Sequence, residues 1–178
     1  RKRPLHIYGP QKTDHLVNGL LSAYETGIAE HRDGDAGVNH PLRVETHTIA
    51  TGVIYQDESV TVEAFPVSHG GLEAYGLKFT TPDKTIVVSG DTCPVDALLT
   101  QAKGCDILVH EVYSADAWQR KPKQWQGYHK KVHTSTVELA HIANQTRPGL
   151  LLLVHQLTWD TTDAAMVAEL TARYDGRV

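Results

Sequence analysis

The chain has 178 residues, 40% of them hydrophobic and 21% charged, with 14 Gly, 8 Pro and 2 Cys. That composition excludes fibrous, disulfide-rich and disordered classes. A chain of this length buries ~70% of the surface its unfolded form exposes, so neither disulfides nor a structural metal are needed merely to fold. The 17 Lys+Arg against 21 Asp+Glu give a formal charge of −4, which disfavours binding nucleic acid by blanket phosphate neutralisation. The unusual count is the 11 histidines, because imidazole is both a common metal ligand and a proton carrier near neutral pH.

The elements follow in chain order. Leu5–Tyr8 reads as a strand, Gly9-Pro10 as a turn, and Thr13-Asp14 as the cap of a helix through about Ala29, with Leu16, Leu20, Leu21, Tyr24 and Ile28 on one face. Glu30 to Pro41, with Gly34, Gly37, Asn39 and Pro41, reads as loop. Short β-rich runs follow at Val44–Ile49, Gly52–Tyr55, Val60–Pro66 and Ala74–Phe79, so the first half is expected to be mainly antiparallel β. After a turn at Thr81–Lys84, the β-branched run Thr85–Ser89 predicts a buried strand. A helix is predicted from Pro94 to Lys103, closed by Gly104.

Asp106–His110 reads as a strand ahead of a polar aromatic loop containing Trp118, Trp125 and Tyr128. Helix Ser135–Gln145, strand Leu150–His155 and helix Thr162–Tyr174 complete the pattern, and Asp175–Val178 looks like the beginning of a further strand. The expected architecture is one α/β unit, residues 1–178, with helices covering a mixed sheet. Cys93 and Cys105 read as free core thiols. No run of 18 apolar residues occurs, so no membrane span is predicted. The start lacks an initiator Met and a signal core. It reads as a cut chain with a cytoplasmic origin, or a periplasmic one should a signal peptide precede Arg1.

Three polar groups stand directly after apolar strand runs: His69, Asp91 and His155. Open α/β sheets gather their sites at the carboxyl ends of strands, and His, Asp and His on one rim is the ligand chemistry zinc uses. His110-Glu111 could open a His-Glu-x-x-His helix, but position 114 is Ser. Glu111 therefore reads as a group that orients another side chain. His133 precedes Thr134-Ser135, a natural N-cap, and so sits beside a helix N-terminus that favours anionic substrate groups. The stretch Trp118–Lys131 interleaves cations with aromatics. It reads either as a lid that attracts an anionic substrate and stacks on its ring, or as a solvated loop or dimer contact. His129, four residues before His133, is given no ligand role because no helix is predicted there.

The order Ser68-His69-Gly70, Ser89-Gly90-Asp91-Thr92, His110-Glu111, His133-Thr134-Ser135-Thr136 and Val154-His155, with Arg3–Pro10 ahead of it, resembles the metallo-β-lactamase fold hydrolases. The resemblance is to the branch around ribonuclease Z and its arylsulfatase-like and phosphodiesterase relatives. It implies an αββα sandwich with two zinc ions. His69 would be a ligand to one zinc, Asp91 the bridge and His155 the ligand to the other, while Glu111 would orient His133 to protonate the leaving oxygen. Two metals joined by a carboxylate can share a hydroxide nucleophile and clamp a phosphoryl oxyanion.

The family's His-x-His-x-Asp-His motif is absent from these residues. The chain is therefore expected to be the C-terminal two-thirds of such a fold, inactive alone, and to associate with a second copy or with the missing part. The short span between His69 and Asp91 leaves no room for a long tRNA-gripping arm. The expected substrate is a small anionic phosphodiester or related ester, with tRNA 3′-processing, sulfate-ester and lactone hydrolysis as alternatives. The rival from another class is a non-catalytic binding or assembly module.

Overall fold

A computed structural model describes residues 3–33 and 42–178; the expected loop positions Gly34, Gly37, Asn39 and Pro41 lie outside the described residues. The chain forms two compact units, Arg1–Ala50 and Thr51–Val178. In the first, β1 (Leu5–Gly9) pairs in parallel with β2 (Val44–Thr48), with Leu5 opposite Val44 and Tyr8 opposite His47. Parallel pairing departs from the antiparallel expectation. Alternation fixes which face a residue takes, whereas the intervening helices fix the direction of return.

The single helix expected to Ala29 is two: α1 (Thr13–Ala23) and α2 (Glu25–Asp33), separated at Tyr24. Lys12, in the left-handed conformation, occupies the N-cap of α1, and Thr13 donates its hydroxyl to the Pro10 carbonyl at 2.6 Å. The buried face is centred on Val17 rather than Leu16, which points to solvent. Val17, Leu20, Leu21, Tyr24 and Ile28 line an apolar groove with Leu5, Ile7, Leu42 and Val44.

The second unit is built on a six-stranded mixed sheet ordered β3-β4-β5-β6-β7-β8, comprising β3 (Gly52–Gln56), β4 (Thr61–His69), β5 (Leu72–Thr80), β6 (Thr85–Val88), β7 (Ile107–Tyr113) and β8 (Leu150–Leu157). The first four strands are antiparallel and the last three are parallel. Parallel strands need crossovers; α3 (Asp96–Gln101) joins β6 to β7, and α4 (Ala115–Gln119), α5 (Lys123–Val132) and α6 (Thr136–Thr146) lie between β7 and β8.

β7 runs three residues past its expected end, because Val112 and Tyr113 continue its β-rich run and Tyr113 N–H donates to the Thr134 carbonyl at 2.9 Å. The expected aromatic loop is largely α4 and α5. Gln126 ties the bend between them, donating to the carbonyls of Gln119 and Lys121. The final helix, α7 (Asp163–Thr171), is capped by Thr162. No strand is assigned to residues 175–178, although Leu151 N–H donates to the Arg177 carbonyl at 2.9 Å.

The core of this unit packs Phe65, Val87, Leu108, Val112 and Leu151 from the strands against Leu98, Leu139, Ile142, Met166 and Leu170 from the helices. Cys105 joins it as a free buried thiol and Cys93 is half-buried. Burial lifts the Cys105 pKa to about 11. Among the described residues no helix is long and apolar enough to cross a membrane.

Candidate metal centre

Every expected site residue lies in the second unit. His69 is the last residue of β4, turned by the two-residue hairpin Gly70-Gly71 in which Gly70 adopts φ +66°. Its Nδ1 lies 2.8 Å from the Val132 carbonyl. A carbonyl only accepts, so Nδ1 carries the proton and the Nε2 lone pair is left for a metal.

Asp91 follows β6 across Ser89-Gly90. Gly90 has φ +64°, and a Cβ there would stand 2.8 Å from the Tyr75 carbonyl oxygen, so this approach requires glycine. Beyond it, Thr92 locks the turn. Its hydroxyl accepts from Ser68 N–H at 3.1 Å and donates to the Cys93 carbonyl, while its own carbonyl accepts from the Thr134 hydroxyl at 2.7 Å.

His155 lies at a β-bulge. Glu111 pairs with Val154 and Val112 with Gln156, so His155 is the extra residue of β8, with φ +44°. Bulges re-aim side chains, and His155 Nε2 comes within 3.6 Å of Asp91 Oδ2. Both are partly exposed, so the pair contributes little to stability.

Glu111 is buried inside β7 rather than at a strand end. One oxygen, Oε1, accepts from Thr92 N–H at 3.0 Å, Thr134 N–H at 3.1 Å and His133 Nδ1 at 3.1 Å. These donors fix the carboxylate as an acceptor, place the His133 proton on Nδ1 and leave Nε2 free. His133 terminates α5 directly ahead of the α6 cap, where Ser135 and Glu138 form a reciprocal capping box. His133 rings lie 5.1 Å from His69 and 5.4 Å from His155, centroid to centroid.

The ligating atoms of His69, Asp91 and His133 all lie within 4.8 Å of one another, as do those of Glu111, His133 and His155. Two imidazoles and a carboxylate converging in this way match the donor set of zinc. His133 is near enough to be a ligand as well as a proton carrier. His110, the neighbour of Glu111, points elsewhere: it is fully buried, its Nδ1 donates to the Glu111 carbonyl at 2.6 Å, and burial holds its pKa down at about 4. His110 Nε2 and Glu111 Oε2 are the buried side-chain atoms without a partner among the described residues.

One residue close to the site, His129, is given no role by the sequence because α5 is not predicted there. His129 lies buried on α5, with Nδ1 donating to the Trp125 carbonyl at 2.7 Å and its ring stacked 5.9 Å from His133. Trp159 packs edge-on to His129 at 4.9 Å and carries Lys121 Nζ 5.1 Å from its centroid. The spacing of four between His129 and His133 was the available signal. Trp118 is committed internally, its indole N–H donating to Gln126, whereas Trp125 and Tyr128 are half exposed.

A mixed sheet with flanking helices and an imidazole–carboxylate cluster able to hold a metal ion place the chain in the mixed α/β class. The family profile described as a beta-lactamase superfamily domain matches residues 2–156, and the chain belongs to that family. It is 30% identical over 155 residues to a ribonuclease Z of Mycobacterium sp. (strain KMS), covering 86% of this chain and 54% of that protein. The chain thus spans about half the length of curated relatives it matches. Among solved structures it is similar to the metallo-beta-lactamase fold protein YhfI of Bacillus subtilis, with TM-score 0.69 and 18% identity over 98% of this chain and 61% of that one. It is also similar to the short form of human tRNase Z, with TM-score 0.61 and 21% identity over 87% and 61% of the two chains. These likenesses establish the metallo-β-lactamase fold.

Proposed function

We propose that the chain supplies part of a dizinc hydrolase centre acting on phosphodiesters or related anionic esters. The observation that carries this reading is the convergence of His69, Asp91, His133 and His155 from four separate segments, with Glu111 anchoring His133 from a fifth. His69 and His155 would each hold one zinc, with Asp91 between them. When bound, zinc supplies Lewis acidity towards the substrate oxyanion and lowers the pKa of the attacking water. His133, fixed by Glu111 through Nδ1–H, presents the Nε2 lone pair to the site; it would take up the proton released by the attacking water there and pass it on to the leaving oxygen. Trp125 and Tyr128 with Lys121 and the lysines of α5 are the surface proposed to meet the substrate's ring. The remaining zinc ligands would come from outside these 178 residues, through the missing part of the fold or through association. A cytoplasmic place of action goes with this reading.

A second reading, tRNA 3′-end cleavage, is favoured by the relatives named ribonuclease Z. Against it stand the charge of −4 and the short segment from His69 to Asp91, which is fully used by β5, β6 and their turns. The test is metal analysis of the full-length gene product and its Asp91→Ala variant, with an aryl phosphodiester and a precursor tRNA as substrates. Loss of about two zinc equivalents and of diester hydrolysis is expected. Full retention of both overturns the proposal, and cleavage of precursor tRNA with no turnover of the diester moves it to the second reading.

A further inference from the structure

We propose that His6, Glu45 and His47 form a second transition-metal site, suited to zinc and independent of the hydrolytic centre. The parallel register of β1 and β2 sets His6 opposite Glu45 and Tyr8 opposite His47. Alternation puts these four side chains on the face opposite Leu5, Ile7 and Val44, which line the apolar groove. His6 Nδ1 lies 2.9 Å from His47 Nε2 and 3.4 Å from Glu45 Oε2, and all three ligating atoms lie within 4.8 Å of one another.

With zinc–ligand bonds of about 2.0–2.1 Å, tetrahedral geometry separates neighbouring ligand atoms by about 3.4 Å. The His6–Glu45 distance fits as it stands. The two imidazoles need to open by a few tenths of an ångström, which half-exposed rings can do by rotating. Tyr8 stacks on His47 at 4.5 Å and 17°, fixing the ring that must supply Nε2. Two imidazoles and one carboxylate select a zinc-class ion over magnesium or calcium, which take oxygen ligands. Such an ion would tie two strands that are joined only through a long connection, in a two-stranded pairing that is marginal by itself.

The test uses the full chain with the hydrolytic ligands removed (His69→Ala, Asp91→Ala, His155→Ala), titrated with zinc by calorimetry and with cobalt by visible absorption. One equivalent of zinc and a cobalt d–d spectrum are expected to remain. Adding His47→Ala should abolish both. Adding Glu45→Gln, which keeps the side chain's shape, should weaken binding at least about tenfold, since even groups behind a ligand are worth that much. His47→Ala in the otherwise unaltered chain should remove one binding event and leave the hydrolytic centre's zinc in place. A triply substituted chain that folds but binds no metal, or binding indifferent to Glu45→Gln, overturns the site. Neither readout depends on hydrolysis, so this result and that of the proposed function are separable.

Discussion

At the residue scale, the buried pair His110 and Glu111 shows how adjacent positions of one strand serve different ends. Glu111 turns its carboxylate to two backbone N–H groups and His133, whereas His110 is held neutral in the apolar interior. Because burial lowers the folded-state pKa of His110 from 6.5 to about 4, the unfolded chain binds the extra proton first. The neutral form's contribution is complete above pH ~6.5 and is lost as pH falls towards ~4. That loss amounts to about 3 kcal/mol for so buried a group. Urea unfolding from pH 7 to 4 should show this decline in the parent chain, and His110→Gln, which cannot titrate, should flatten it. Equal pH slopes for the two chains would remove His110 as the cause.

Elements place these residues with means that differ in how visible they are in sequence. His69, Asp91 and His155 could be found because each ends an apolar run, and Ser135 because Ser-x-x-Glu marks a capping box. The bulge that turns His155 was not legible, since it arises from pairing with β7. Helix α5 was hidden by its many polar residues and Gly127, which leave its apolar face to Trp125, Tyr128 and Val132 alone. On α1 the expected face holds at Leu20, Leu21, Tyr24 and Ile28, but Val17 takes the place of Leu16, because a leucine-rich helix offers two adjacent apolar stripes. Gly90 is the element-level device most exposed to test. Gly90→Ala places a Cβ 2.8 Å from the Tyr75 carbonyl and forces a left-handed residue with a side chain. The left-handed backbone alone costs about 1–2 kcal/mol. A thermal melt should fall accordingly, and zinc bound through Asp91 should fall with it; an unchanged melting temperature would show that the turn relaxes freely.

At the scale of the whole molecule, the donor count governs behaviour. In the proposed assignment, Asp91 with His69, and Asp91 with His155, would give each zinc two of the three or four protein ligands a zinc site uses. Structural zinc held by four ligands contributes about 10–16 kcal/mol. Half that set suggests about 5–8 kcal/mol, a Kd between about 1 µM and 0.2 mM. A chain with an incomplete donor set and a half-exposed outer strand gains by pairing: β3 stands at the sheet's end with Val53 and Tyr55 exposed. The expected behaviour of the 178-residue chain is therefore weak zinc binding at this centre and association into a species heavier than a monomer. Calorimetry and sedimentation on the His47→Ala chain, which leaves the hydrolytic centre as the principal zinc site, measure both together. Submicromolar zinc on a monodisperse monomer would mean that His133, close enough to coordinate, completes the site from within, and the case for ligands from outside would fall.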